Sequence, residues 1–120
     1  MAEVPQSETN FQTTVIDLAK TLGWRVLHFR GVRVQRKDGS TYYQTPVGAD
    51  GAGFPDLVLA KTGHPIYFVK LKSQSGKLSA TQEEWRKVLD RSSSPYLVLR
   101  PSDWDMVVKI LSPQVRQVSG

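Results

Sequence analysis

The segment GFPDLVLAKTGHPIYFVKLK, residues 53–72, decides the fold. It holds two short apolar runs, Asp56–Ala60 and Ile66–Lys72, joined by the turn residues Lys61–Pro65. Short apolar runs bounded by Gly and Pro are typical of strands, and so short a connection makes neighbouring strands antiparallel. The segment therefore predicts an antiparallel pair, with Asp56 at the start of one strand and Lys70 near the end of the other.

The sequence that follows predicts a helix and a further strand. Ser79 with Gln82 three residues later is a capping-box pattern, which marks the start of a helix. The apolar stripe of that helix comprises Trp85, Val88 and Leu89. Tyr96–Leu99 is a short apolar run typical of a buried strand. Because the helix crosses over between the two strands, we expect Tyr96–Leu99 to pair in parallel with Ile66–Lys72.

A final helix is predicted near the C-terminus. Its apolar residues at helical spacing are Trp104, Val107, Val108 and Leu111. Ser102 with Asp105 is predicted to cap its start.

Upstream of residue 53 the sequence predicts a first helix and a strand. Ser7 is a candidate N-cap that leaves Glu8 in the first turn, and Gly23 is a candidate C-cap. The stripe between them comprises Phe11, Val15, Leu18, Ala19 and Leu22. Trp24–Arg30 alternates in polarity and reads as a strand.

Residues 31–53 permit two interpretations. Asp38 and Gly39 form a strong turn signal between Val32–Arg36 and Ser40–Gln44, which predicts a β-hairpin. A mobile basic flap is the alternative. The complete order is helix, strands, helix, strand, helix, so we expect an α/β fold with a mixed central sheet flanked by helices. We expect one domain over residues 1–120, with a core at about 7–112 and a polar tail from residue 113.

Composition excludes several classes of protein. The 120 residues carry 16 Lys and Arg against 11 Asp and Glu, a net charge of +5. That excess suits a polyanion such as nucleic acid, but it also suits the solubility of a small domain. No apolar run approaches the roughly 18–20 residues that span a bilayer, so no membrane protein is expected. The N-terminal MAEVPQSETNFQ does not resemble a signal peptide and there is no cysteine, so we expect a cytoplasmic protein without disulfides.

Three charged residues are predicted to meet near one end of the sheet. Asp56 lies beside the strand that carries Lys70 and Lys72, and these two lysines, being two residues apart, project to the same face. Phosphodiester hydrolysis commonly uses a hard divalent cation held by carboxylate oxygens, assisted by a nearby ammonium group. This pattern therefore suggests phosphoryl chemistry.

The segments GFPDLVLA and YFVKLKSQSGKLS, with Gln82 and the upstream SETNFQTTVIDLAKTLGWRVLHFR, resemble the PD-(D/E)XK nucleases. The resemblance is to the small VRR-NUC branch, which includes stand-alone phage nucleases similar to Holliday-junction resolvases, and it extends from Ser7 to about Leu111. It implies a restriction-endonuclease-like αβββαβα core and an Mg²⁺- or Mn²⁺-dependent endonuclease that cuts branched DNA. Symmetrical cutting of a four-way junction needs two active sites, which implies a homodimer. A phage protein of this kind would act in the host-cell cytoplasm.

The resemblance also assigns roles to individual residues. Asp56, Glu8 and the backbone carbonyl of Leu71 match metal ligands of the family. Lys72 matches the catalytic lysine, and Gln82 matches a glutamine on the following helix, although the capping box alone also explains Gln82.

Position 70 departs from the family pattern, which has Glu where this chain has Lys70. The change places an ammonium where a metal ligand belongs, so we expect weak or absent metal binding and an ion pair between Lys70 and Asp56. The chain is then an inactive form, either through deliberate substitution or through natural degeneration. A non-catalytic module that binds DNA structures is the alternative function.

Candidate DNA contacts lie mainly in the basic and aromatic part of residues 30–43. They are Arg30, Arg33, Arg36, Lys37, Tyr42 and Tyr43, with Lys77 after the second strand as a further candidate. Basic and aromatic side chains suit phosphate contacts and base stacking, but charge also protects the edge of a hairpin from aggregation. His28 is either a contact to substrate or catalytic water, or a structural histidine.

Overall fold

The helices and strands follow the predicted order. A computed structural model describes residues 8–29, 31–44 and 47–113, without the side chains of Glu8, Thr9 and Val32. The elements are α1 (Glu8–Thr21), β1 (Arg25–His28), β2 (Val32–Gln35), β3 (Thr41–Gln44), β4 (Leu57–Ala60), β5 (Tyr67–Leu71), α2 (Ala80–Asp90), β6 (Tyr96–Leu99) and α3 (Trp104–Leu111). No helix in these described segments is both long and apolar enough to cross a membrane.

Four of the strands form one mixed sheet in the order β1-β4-β5-β6. The pairs β1–β4 and β4–β5 are antiparallel, as the short connection in residues 53–72 predicts. The β5–β6 pair is parallel, which confirms the crossover through α2. The fold is therefore mixed α/β, with a four-stranded sheet flanked by helices.

One face of the sheet carries the hydrophobic core. Leu57 and Leu59 on β4 are fully buried, and they alternate with the half-buried Val58 and Ala60. Alternation of this kind turns successive side chains to opposite faces. The core face packs against α1 and α3, whose buried side chains are Phe11, Val15, Ala19, Val107 and Leu111.

The connection from α1 to β1 is fixed by a glycine and a tryptophan. Gly23 has φ +91°, a left-handed conformation that suits glycine, and its N–H donates to the Lys20 carbonyl at 3.1 Å. This confirms the predicted C-cap. The indole N–H of the buried Trp24 donates to the Leu111 carbonyl at 2.9 Å and so ties this corner to the end of α3.

The start of α2 is as predicted, but one residue of its apolar stripe is not. The Gln82 backbone N–H donates to Ser79 Oγ at 3.3 Å, and the Ser79 N–H donates to Gln82 Oε1 at 2.9 Å, which completes the capping box. Leu89 is buried, whereas Val88 is 63% exposed. The prediction for Val88 is wrong because α2 covers only part of the second face of the sheet, so the stripe buried there is narrow.

The predicted cap of α3 is also wrong. Ser102 lies in a 3-10 turn, Pro101–Asp103, and α3 begins after it with no side-chain hydrogen bond at its N-cap, Asp103. Ser102 instead pairs with Gln74: its N–H donates to Gln74 Oε1 at 3.0 Å, and its hydroxyl accepts from Gln74 Nε2 at 2.9 Å. Ser102 therefore bonds to a residue distant in the sequence and does not cap α3.

Strands β2 and β3 form a separate two-stranded antiparallel sheet, which is the hairpin interpretation of residues 31–53. Gly39 has φ +89° in the turn. Asp38 Oδ1 accepts hydrogen bonds from the Ser40 hydroxyl at 2.6 Å and from the Ser40 N–H at 2.9 Å. These bonds, the one from the hydroxyl above all, hold the pKa of Asp38 below its usual value.

Leu57→Ala should lower the free energy of unfolding by about 2–5 kcal/mol, because it removes a side chain with no exposed surface and leaves a cavity. Leu27→Ala, on the neighbouring strand, is the matched control. Leu27 is 52% exposed, so its truncation should cost less than about 1 kcal/mol. Urea denaturation measures both variants, and equal losses would contradict the assignment of the core to one face.

Candidate functional site

A row of four residues crosses one end of the sheet on the face opposite the core. The strand pairing of β4 extends one residue before Leu57, its first residue. Asp56 therefore lies between Phe29 and Lys70. The Phe29 N–H donates to the Asp56 carbonyl at 3.0 Å. Lys70 in turn lies opposite Val98. Strand pairing itself therefore brings Asp56 and Lys70 together.

Both oxygens of the Asp56 carboxylate are hydrogen-bonded. Lys70 Nζ donates to Oδ1 at 3.0 Å, and the Leu71 N–H donates to Oδ2 at 2.8 Å. The side chains of Lys70 and Asp56 are 10% and 22% exposed, so the ion pair is largely shielded from water. The predicted pairing of Lys70 with Asp56 is confirmed.

A pocket of about 310 Å³ opens beside this ion pair. It brings three predicted site residues together, namely Asp56, Lys70 and Gln82. Its remaining wall combines aromatic, apolar and small residues: Phe29, Gln44, Val47, Gly51, Ala52, Gly53, Phe54 and Pro55. The pocket is thus bounded by the end of the sheet, the last residue of β3, the glycine-containing loop over residues 47–55 and the first turn of α2.

Gly53 allows the loop to lie directly against α2. Its φ is +84°, and a Cβ at this position would lie 2.5 Å from the Thr81 carbonyl carbon and 2.7 Å from the Gln82 nitrogen. No side chain fits there without moving the helix backbone. The glycine therefore sets the distance between Asp56, three residues later, and Gln82.

The residues present do not fit a divalent cation. Of the expected ligands, Asp56 already accepts from an ammonium and an amide, and position 70 supplies a cation. A metal ion at about 4 Å from that ammonium would meet a repulsion of about 4 kcal/mol per unit charge at an effective dielectric of about 20. The described residues contain no group of three carboxylate or imidazole side chains placed to hold a metal.

Three other predicted site residues are not among the described residues that line this pocket. Glu8 begins α1, but its side chain is outside the described residues. Lys72 follows β5, and its N–H donates to the Leu99 carbonyl at 3.0 Å, but it does not line the pocket. His28 is half-buried on the opposite face of the sheet, where its Nε2 contacts the Gln12 amide of α1.

The hairpin carries most of the predicted DNA contacts. Arg33, Lys37 and Tyr43 are exposed, Tyr43 by 75%. The guanidinium of Arg36 lies 4.4 Å from the centre of the Tyr42 ring, a cation–π contact that covers one face of that ring. Arg30 lies outside the described residues.

Tyr96 is a notable side chain that the sequence presents only as part of a buried strand. Within the described part of the chain, its buried hydroxyl has no hydrogen-bond partner. It lines a second, larger pocket of about 660 Å³ together with the exposed Lys77 and with Arg86 of α2. Burial, and next the negative charge of Asp56, raise the pKa of Tyr96 to about 12.

Comparisons of the chain with protein-family models, with curated proteins and with solved structures find no match. Function is therefore inferred from the sequence motif and from the chemistry of the site.

Tyr96 should make the stability of the protein depend on pH in the alkaline range. Folding raises the pKa of Tyr96 from 10.0 to about 12. The contribution of Tyr96 to the free energy of unfolding is therefore complete below pH 10 and is lost as the pH rises to about 12. Absorbance at the phenolate band should show a late ionisation that is missing in Tyr96→Phe. Denaturation between these pH values should show a shallower loss of stability in the variant, and parallel curves would contradict the assignment.

Proposed function

We propose that the chain is a metal-dependent endodeoxyribonuclease of the PD-(D/E)XK type, specific for branched DNA such as four-way junctions, in a form inactivated by Lys70. The order of α1, β1, β4, β5, α2, β6 and α3 supports the proposal that this mixed sheet is the restriction-endonuclease-like core. We further propose that the protein acts in the cytoplasm, that of the host cell if a phage encodes it.

The convergence of Asp56, Lys70 and Gln82 on one pocket is the observation that carries this proposal. These residues are far apart in the sequence, and each occupies a position that the nuclease motif assigns to the active site. The pocket lies at the end of two antiparallel strands, where a rigid sheet positions side chains better than a loop does.

Lys70 explains why this form should not cut DNA. Its ammonium occupies Asp56 Oδ1 at 3.0 Å and repels any second cation. The basic residues Arg33 and Lys37 of the hairpin do not line that pocket, so the exchange at position 70 leaves them unchanged. The chain should therefore keep its affinity for DNA phosphates while it lacks hydrolysis.

The same ion pair favours one alternative, a non-catalytic module that binds DNA structures. In that case Asp56 and Lys70 form a purely structural pair, in which each oxygen of the Asp56 carboxylate accepts one hydrogen bond, from Lys70 or from Leu71. The two functions differ in what happens when position 70 carries a carboxylate.

The proposal includes a two-fold homodimer, which symmetrical cutting requires. Ile66 and Val88 are exposed apolar side chains, at 46% and 63%, and they are available for contact with a second copy. Sedimentation of the same samples used for the nuclease assay reports the oligomeric state.

Lys70→Glu should create both metal binding and nuclease activity. With Mg²⁺ or Mn²⁺, cleavage of a synthetic four-way junction should rise at least about 100-fold, since charge stabilisation by a metal supplies several kcal/mol. Either ion should also raise the melting temperature of the variant, because it relieves repulsion between the two carboxylates. The present chain should show neither response.

Two further variants control this experiment. Lys77→Glu makes the same change of charge at an exposed residue outside the Asp56 pocket and should gain no activity. Asp56→Asn combined with Lys70→Glu should lose the gain. Cleavage by Lys70→Glu that stays at the level of the present chain would refute the nuclease proposal, and a missing metal response with retained DNA binding would favour the non-catalytic module.

The hairpin should account for much of the salt dependence of DNA binding. Arg33→Gln and Lys37→Gln should each reduce the slope of log affinity against log salt concentration by about 1, because each removes one phosphate contact. Arg91→Gln, at the end of α2, removes an exposed charge elsewhere and should leave the slope unchanged. Fluorescence anisotropy with a labelled junction measures the slopes, and equal slopes for all proteins would contradict the hairpin assignment.

A further inference from the structure

The pocket beside Asp56 and Lys70 is poorly suited to a phosphate group. The charges of these two residues cancel at a separation of 3.0 Å, so the pocket offers an anion little net attraction. Much of its wall is aromatic or aliphatic, including Phe29, Phe54 and Pro55. A neutral, flat ligand with hydrogen-bonding atoms at its edge matches such a wall better.

Two polar side chains of the pocket, Lys70 and Gln82, can donate hydrogen bonds to a ligand. An ammonium has three N–H groups, and in the described part of the chain Lys70 uses one of them, on Asp56. Gln82 uses its carbonyl oxygen to accept from the Ser79 N–H, which leaves its amide NH₂ for a ligand. Because a buried ammonium with unmade hydrogen bonds is costly, Lys70 favours a ligand that brings acceptor atoms.

The aromatic wall is held in place by edge-to-face contacts. Phe54 meets Phe29 at 5.4 Å between ring centres, Phe68 at 5.8 Å and Trp85 at 4.9 Å, all near perpendicular. Phe54 is thus fixed on three sides. Phe29 is 36% exposed, so part of its ring is available to a planar ligand that enters the pocket.

We propose that this pocket binds one unpaired nucleobase of branched DNA, and that it prefers a base whose edge carries acceptors. Thymine offers two carbonyl oxygens, and guanine offers O6 and N7. Lys70 and Gln82 donate to that edge, and Phe29 contacts the base. This inference rests on the proposed binding of branched DNA, and it adds a base-specific contact to the phosphate contacts of the hairpin.

The test uses the chain as it stands and four-way junctions with one extra nucleotide at the branch point. The extra nucleotide is thymine, adenine or an abasic site, so the number of phosphates stays the same. Thymine should bind about tenfold more tightly than the abasic site, as expected for one stacked and hydrogen-bonded base. Adenine should lie between them, because it presents an amino donor where thymine presents a carbonyl. The ratio of thymine to abasic affinity should change little with salt.

Variants locate the effect in the pocket. Phe29→Ala should reduce the thymine-to-abasic ratio to about 3 or less. Leu27→Ala, which truncates an exposed apolar residue of β1 outside the pocket wall, should leave the ratio at about 10. Lys70→Met should remove the preference for thymine over adenine, whereas Lys37→Met should weaken binding to all three junctions alike. Circular dichroism spectra show whether each variant folds.

The outcomes separate this inference from the proposed function. Equal affinity for the thymine and abasic junctions would overturn the base pocket and leave the nuclease proposal intact. Equal affinity for thymine and adenine would overturn the role of the donors. Failure to bind any junction at low salt would overturn the proposed binding of branched DNA, and with it this inference.

Discussion

The carboxylate of Asp56 is the point on which the candidate site depends. One oxygen accepts from the Lys70 ammonium and the other from the Leu71 N–H, while the backbone carbonyl of Asp56 accepts from Phe29. A single residue therefore links β1, β4 and β5 at the end of the sheet where the pocket opens. Side-chain alternation on β4 and β5 turns the same residues away from the core, so the site and the core use opposite faces of one sheet.

The identity of residue 70 decides which ligand this arrangement favours. A carboxylate there would place a second negative charge beside Asp56, and two such anions favour a shared proton or a bound cation. Lysine removes the need for a proton or a cation, because the Asp56–Lys70 pair is neutral and the Lys70 ammonium already donates to Asp56. A largely buried ion pair adds little net stability over apolar residues, so its main effect here is on what the pocket accepts.

Local signals in the sequence predicted most of the elements. The capping box at Ser79, the C-cap at Gly23 and the turn at Asp38 each depend on neighbours within a few residues. The wrong predictions depend on contacts between distant parts of the chain. Ser102 pairs with Gln74 instead of capping α3, and Val88 is exposed because α2 covers only part of one face of the sheet. The Asp56–Lys70 pair was predictable because strand register is also periodic. The Tyr96 hydroxyl, which has no hydrogen-bond partner among the described residues, was not predictable, because tertiary packing decides which groups surround it.

Under the proposed function, the hairpin and the pocket would recognise DNA through different physical interactions. The hairpin is a separate two-stranded sheet that carries exposed basic residues, and ribbons of this kind are only marginally stable on their own. A ligand that binds the folded hairpin therefore also stabilises it. The hydrogen bonds at Asp38 and the Arg36–Tyr42 contact reduce the binding free energy that is needed to order the hairpin. Most of the pocket wall is the opposite case, because sheet register, Gly53 and the Phe54 cluster fix that part of its shape before any ligand arrives. Phosphate contacts that tolerate some mobility would then bring DNA to a rigid site. There, a difference of one carbonyl oxygen between two bases would change the binding affinity.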